Sequence, residues 1–267
     1  MRQFINMERI LFVSSRLPYP PVGGDRLQNY YLIKILSKYF KIDLVSIDDS
    51  DLTADAKDFL NTYTTTYKVI KKTKVNYLNA AIKTIFNKRP LQVNYYYFKD
   101  VQLYIDQLIN NHKYLFLFSS LIRTTRYLEK HSSFLRVVNV CDSIGINYKN
   151  SIKNVTSFFW KMIYRFESQR LINYEEFITN DFDMSFFVNP QEIQFFTGKT
   201  CLLQNGVDEN KLAYSKKNKN YSKCVAFFGN MQAQHNIDAV VWFLSNVYQN
   251  LNSDIKMVVI GANPSLK

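Results

Sequence analysis

The feature that most constrains this chain is an alternation: short, nearly unbroken apolar runs give way to longer segments of helical period, again and again along 267 residues. The first repeat covers residues 9–28, RILFVSSRLPYPPVGGDRLQ. Residues 10–13 form an apolar run of β type. A turn-rich loop with Pro18, Pro20 and Pro21 follows and ends in Gly23-Gly24. A helical pattern starts at once through Asp25, Leu27, Tyr30, Ile33 and Leu36. Strand, glycine pair and helix together present backbone N–H groups to an anion. The first turn of a helix has unpaired donors and the positive end of its dipole.

The alternation continues. Strands are predicted at 41–47, 67–70, 114–118, 136–141, 184–188 and 201–203. Helices are predicted at 25–39, 52–63, 76–87, 100–110, 121–129, 155–179 and 190–196. The 155–179 segment sets Phe159, Ile163, Phe166, Arg170, Tyr174 and Phe177 on one face. Residues 90–98, with three consecutive tyrosines, fit neither pattern. The lysine- and asparagine-rich stretch 211–223 reads as an exposed linker. The pattern then restarts with a strand at 224–228, a helix at 237–250 and a strand at 256–260. This order predicts an α/β chain with doubly wound parallel sheets. One complete domain is expected over 1–204 and the first βαβ of a second over 205–267. One βαβ alone cannot bury both faces of its sheet, so the second domain is expected to be incomplete.

Composition narrows the function. The balance of 34 basic against 22 acidic residues gives +12. Such a charge suits phosphorylated substrates, nucleic acid or an anionic lipid surface. No nucleic-acid motif accompanies it. Cys141, Cys201 and Cys224 are odd in number and far apart, without metal or disulfide spacing, which predicts a reducing cytoplasm. No stretch approaches the ~18 apolar residues of a membrane span.

Several residues carry candidate chemistry. Gly23-Gly24 fits a phosphate or substrate loop, and also a plain tight turn. There is no G-x-G-x-x-G fingerprint and no Walker loop. Asp142-Ser143 follows a strand, where ligands bind in open α/β sheets. Asp142 could hold a sugar hydroxyl or move a proton, or cap the next segment. Glu167, Arg170, Glu175 and Glu176 are expected in solvated or surface-paired positions. Asp181-Phe182-Asp183 and Asp49-Ser50-Asp51 show a D-x-D pattern, read here as helix termination and loop. Gly229 and Gly261 each end a strand. Gly229-Asn230 precedes a loop holding His235 and Asn236, and its N–H groups could meet a diphosphate.

In order and spacing, these blocks resemble bacterial family-four glycosyltransferases, in particular sugar transferases of exopolysaccharide and cell-envelope assembly. The matching residues are 10–46, VCDS at 140–143, Glu167, FDMSFFVNPQE at 182–192, QNGVD at 204–208, VAFFGNM with HNIDAVVWF over 225–243, and VVIGANP at 258–264. The resemblance implies a GT-B fold of two Rossmann-like domains, the first on the acceptor side and the second binding the sugar nucleotide. It implies a retaining transfer of hexosyl type from a UDP- or GDP-sugar to a saccharide- or lipid-linked acceptor. No protein-bound metal and no cofactor beyond the donor are implied. By resemblance, Asp142 lies at the reacting sugar. Gly23, Gly24, Asp25, Arg26, Ser143, Asn205, Gly206, Gly229 and Asn230 contribute to donor or acceptor binding. The chain departs from the wider family in two ways. GNMQAQHN at 229–236 lacks the Arg and Lys that neutralise a leaving diphosphate, so Arg16, Arg26 or helix ends must serve. The acidic E-x7-E region is absent from the sequence. The alternative is a non-catalytic module that holds acceptor or partner. Cytoplasmic location, with attachment to the inner membrane face, is the expected setting.

Overall fold

The computed structural model describes residues 7–49, 51–82, 84, 87–153, 155, 157–206, 218–231 and 234–261. It divides into two units, Met1–Asn205 and Gly206–Lys267.

The first unit is built on seven strands: β1 (Arg9–Ser14), β2 (Lys41–Asp48), β3 (Thr66–Lys71), β4 (Phe116–Ser120), β5 (Leu135–Cys141), β6 (Met184–Phe187) and β7 (Thr200–Leu202). Every pairing is parallel, and the order is β3-β2-β1-β4-β5-β6-β7. The helices are α1 (Gly24–Leu36), α2 (Ala54–Tyr63), α3 (Lys74–Ile82), α4 (Leu91–Tyr95), α5 (Lys99–Asn111), α6 (Ile144–Ser151), α7 (Phe158–Asp181) and α8 (Pro190–Ile193), with a 3-10 turn at Ile122–Tyr127. This is the doubly wound α/β architecture that the alternation predicts.

The unbroken apolar strands follow from burial on both faces. Ile10 and Phe12 of β1 pack with Ile33 of α1 and with Phe59 and Leu60 of α2. Leu11 and Val13 point the other way, into a core that includes Tyr77 of α3, Ile105 of α5 and Ile178 of α7. Neighbouring residues of one strand therefore serve two different cores.

The amino ends of the strands are tied by a buried carboxylate. Asp43 of β2 accepts two bonds from Arg9 Nη1 of β1 (2.9 and 2.7 Å), one from Thr66 of β3 (2.7 Å) and one from the Tyr114 hydroxyl just before β4 (2.7 Å). A buried carboxylate is stable only when its acceptor sites are filled in this way.

Some expectations are corrected. The helix predicted at 76–87 runs over Lys74–Ile82, with Ile85 and Phe86 outside the described residues. Residues 90–98 contain the short α4, which starts just after Pro90. The helix α6 was not expected. The buried face of α7 includes Glu167, Leu171, Tyr174, Glu175 and Ile178, whereas Phe159, Phe166 and Phe177 of the predicted aromatic row are exposed. Asp181 ends α7, and both it and Asp183 accept hydrogen bonds from Arg136. Of the other D-x-D, Ser50 lies outside the described residues, and Asp51 pairs with Lys71.

In the second unit, β8 (Cys224–Phe228) pairs in parallel with β9 (Lys256–Ile260), and α9 (Gln234–Asn246) connects them. The helix starts three residues earlier than predicted and ends before a 3-10 turn at Tyr248–Asn250. The expected linker 211–223 lies outside the described residues up to 217, and a 3-10 turn covers Lys219–Tyr221.

Candidate functional site

The strand order reverses direction between β1 and β4. In open α/β sheets, ligands bind outside the carboxyl ends at such a switch point. The loop after β1 lies there. It is anchored from below: Leu17 N donates to Asp48 Oδ2 at 2.8 Å, and the Tyr19 ring stacks on Phe59 at 5.7 Å between centroids. The Tyr19–Pro20 peptide is cis.

The loop ends in the two glycines. Gly23 has φ +96° and ψ 151°, a region that a Cβ disfavours. Gly24 opens α1 and has open space where a Cβ would stand. The first helical bond runs from Leu27 N to Gly23 O, which leaves the N–H groups of residues 24–26 outside the helical ladder. Both glycines are exposed, so that helix end faces solvent. Asp25 and Arg26 occupy its first turn. Arg16 Nη1 lies 3.3 Å from Asp25, and Arg26 Nη2 lies 3.4 Å from Asp48. The two arginines expected to face a diphosphate are thus held by carboxylates at long distances.

Two hydrogen bonds fix α1 against the neighbouring strands. Ser120 at the end of β4 donates to Asn29, 2.8 Å, and Asn139 of β5 donates to Gln28, also 2.8 Å. The first turn of α1 therefore stands beside the carboxyl end of β5. Asp25 lies close enough to Cys141 to act on its charge.

There β5 breaks its register between Asn139 and Cys141, and Cys141 takes φ +68°. Burial, then the charges of Asp142, Asp25 and Glu192, push the Cys141 thiol up to about 12, so it stays protonated. The kink turns Asp142 outward, where it is exposed, and its neighbour Ser143 inward, where it is buried. Ser143, not Asp142, caps α6: its hydroxyl accepts from Ile146 N at 3.0 Å. Asp142 is thereby left free of the capping role that was one reading of it. Among the described residues its carboxylate takes one bond, a 3.8 Å contact from the Cys141 thiol.

Two buried acids hold this turn, and the sequence reading misplaced one and missed the other. Glu175 accepts from Ser143 Oγ (2.5 Å), Ile144 N (2.9 Å) and Gly145 N (3.3 Å). Glu192 accepts from Ser143 N at 2.6 Å. Burial pushes Glu175 up to about 7 despite these donors, and burial also raises Glu192. Glu175 was expected at the surface and is fully buried; Glu167 is buried too, and accepts from Leu91 N at 2.6 Å. The signal for Glu175 was its position between Leu171 and Ile178 on one helical face. Gly145 sits where a Cβ would come within 2.7 Å of the Ile172 backbone N, so α6 and α7 approach closely only with glycine here.

A cavity of about 500 Å³ opens beside the loop at the ends of β1 and β2. Its lining includes Arg16, Arg26, Asp48, Lys74, Tyr77 and Tyr95. The Tyr77 and Tyr95 rings stack at 4.7 Å.

One rim of the first unit thus brings together Gly23, Gly24, Asp25, Arg26 and Asp142, whereas Ser143, expected to bind ligand, is buried with its N–H held by Glu192 and its hydroxyl by Glu175. Asn205 ends that unit, and Gly206 begins the next. Gly229 and Asn230 belong to the second unit. Gly229 N donates to Ile260 O at 3.0 Å, and a Cβ on Gly261 would stand 1.7 Å from Gly229 O. Gly261 therefore has a packing reason to be small, whereas a Cβ on Gly229 would meet chiefly the Asn236 side chain, at 2.9 Å. Asn230 O accepts from Asn236 at 2.9 Å. Val207, Asp208 and the side chain of His235 lie outside the described residues.

No known family profile matches the chain. An uncharacterized 44.6 kDa protein in the cps region of Klebsiella pneumoniae is 23 % identical over 262 residues. That match covers 96 % of this chain, which spans 65 % of the relative's length. Among solved structures, the N-terminal domain of Candida albicans trehalose-6-phosphate phosphatase aligns with a TM-score of 0.55 at 11 % identity, covering 98 % of this chain and 66 % of that one. UGT2 of Phytolacca americana, solved with UDP-2-fluoro-glucose and pterostilbene, aligns with a TM-score of 0.50 at 8 % identity, covering 84 % and 60 %. At these identities the likenesses show the fold, a Rossmann-like α/β chain of GT-B type.

Proposed function

We propose that this chain is a glycosyltransferase of family-four type. It moves a sugar, with retention, from a UDP- or GDP-sugar to a saccharide- or lipid-linked acceptor in envelope or exopolysaccharide synthesis. The observation that carries this reading is the rim at the switch point, where an open helix N-terminus at Gly23-Gly24 stands beside an exposed, uncapped Asp142. The first can meet negative charge, and the second can meet a sugar hydroxyl or move a proton. The cavity beside them mixes arginines, carboxylates and tyrosine faces, a lining that suits the hydroxyls and C–H faces of a saccharide acceptor. UGT2, one of the aligned structures, was solved with a UDP-sugar analogue, and the Klebsiella relative comes from a cps region; both support the reading. Gly229 and Asn230 are assigned to the nucleotide side on the resemblance.

Calorimetry with UDP, GDP and their sugars, followed by a transfer screen against saccharide and lipid-linked acceptors, tests this. The expected result is binding of one nucleotide class and transfer that falls with Asp142→Asn. Saccharide binding with no affinity for any sugar nucleotide would instead favour a non-catalytic binding module.

A further inference from the structure

The amino-terminal turns of α7 leave large apolar side chains uncovered. Phe158, Phe159, Trp160, Met162 and Phe166 are each between 53 % and 79 % exposed. At about 100° per residue, Phe158, Met162, Phe166 and Phe159 share one arc about 100° wide. Arg165 and Lys161 flank the edge of that arc marked by Phe158. Residues 143–166 carry Lys149, Lys153, Lys161 and Arg165, and no Asp or Glu. Among the described residues, neither Lys161 nor Arg165 pairs with a carboxylate. The helix changes character at Glu167, where its buried face begins.

Four exposed hydrophobes on one arc of a helix call for an occupant. Its charge identifies the occupant. A neutral apolar groove would leave both flanking cations without partners, whereas an anionic bilayer offers phosphates to the cations and an acyl boundary to the rings. Phenylalanine and methionine beside lysine and arginine combine an apolar body for the acyl boundary with cations that stay at the headgroup level. Among the described residues no helix is long and apolar enough to cross a membrane.

We propose that the first turns of α7 dock on an anionic lipid bilayer. Phe158, Phe159, Met162 and Phe166 enter the headgroup boundary, and Lys161 and Arg165 meet lipid phosphates. The proposal stands apart from sugar transfer, because it involves no nucleotide and no acceptor.

The test is co-sedimentation of the chain with sucrose-loaded vesicles of phosphatidylcholine alone, or with phosphatidylglycerol added to the same lipid. Emission of a tryptophan placed on the arc by M162W is followed in a W160F/W242F background, since Trp160 and Trp242 are the two native tryptophans. The expected result is binding to the anionic vesicles with a blue shift of the M162W emission. K161Q/R165Q should weaken it about thirtyfold, and F158S/F159S at least about tenfold. All four substituted side chains are exposed, so circular dichroism should match wild type. Three results overturn the proposal: no binding, equal binding to both vesicle types, or binding that neither double substitution alters. A dimer that F158S/F159S converts to monomer overturns it as well, because a second copy then covers the patch.

Discussion

Glu175 makes the site's architecture measurable. Glu175→Gln keeps the side-chain shape and removes the charge. The carboxyl ordinarily titrates near 4.5, and burial in the fold pushes it up to about 7. The folded state therefore holds this proton more tightly than the unfolded chain. Its contribution to stability is fully present below about 4.5 and is lost as pH rises through about 7. A rise of that size corresponds to about 3 kcal/mol. Urea unfolding followed by far-ultraviolet circular dichroism, on wild type and variant at pH 4.5, 6 and 8, reads it directly. The stability of wild type relative to Glu175→Gln should fall by about 3 kcal/mol across that range. Glu192, raised in the same direction, is present in both proteins and cancels to first order. Parallel pH profiles would refute the reasoning, because they would mean that Glu175 titrates alike in the folded and unfolded chains.

Three further substitutions separate fold from function. Gly24→Val has room in the structure, so stability should stay within about 0.5 kcal/mol while sugar-nucleotide or acceptor binding weakens; unchanged calorimetric binding counts against the loop assignment. Asp142→Asn lies on an exposed side chain, so it should leave the urea midpoint in place and lower transfer about a hundredfold or more; near-normal turnover would remove Asp142 from the chemistry. Gly145→Ala drives a methyl toward the Ile172 backbone and should cost about 1–3 kcal/mol in urea unfolding; a neutral result would mean that α6 and α7 part easily.

The inner strands β1, β2 and β4 were legible because a doubly buried strand has to be apolar on both faces, and a run of that length bounded by turn residues is too short for a buried helix. The loop after β1 was legible for the same reason, since it sits between an unmistakable strand and an unmistakable helix. What the sequence concealed depends on contacts distant in the chain. IGINYKNS at 144–151 has too few apolar residues for a helix of its own. It is helical because Ser143 caps it and Glu175, thirty residues on, fills the donors of its first turn. Glu175 read as a surface acid because acids on helices usually are. The aromatic row on α7 read as one face, but periodicity cannot say whether that face meets a core or is left uncovered.

The carboxylate at the amino end of the sheet has a consequence for change at the other end. Asp43 ties β1, β2, β3 and the approach to β4 at their starts, so their register is set before any strand reaches the rim. The loops after β1 and β2 inherit strand ends whose positions are already decided. Their length and composition can be rewritten without renegotiating the sheet. For an engineer who wants to alter what the rim accepts, the loop that carries Gly23 and Gly24 is an interchangeable part on a fixed mount.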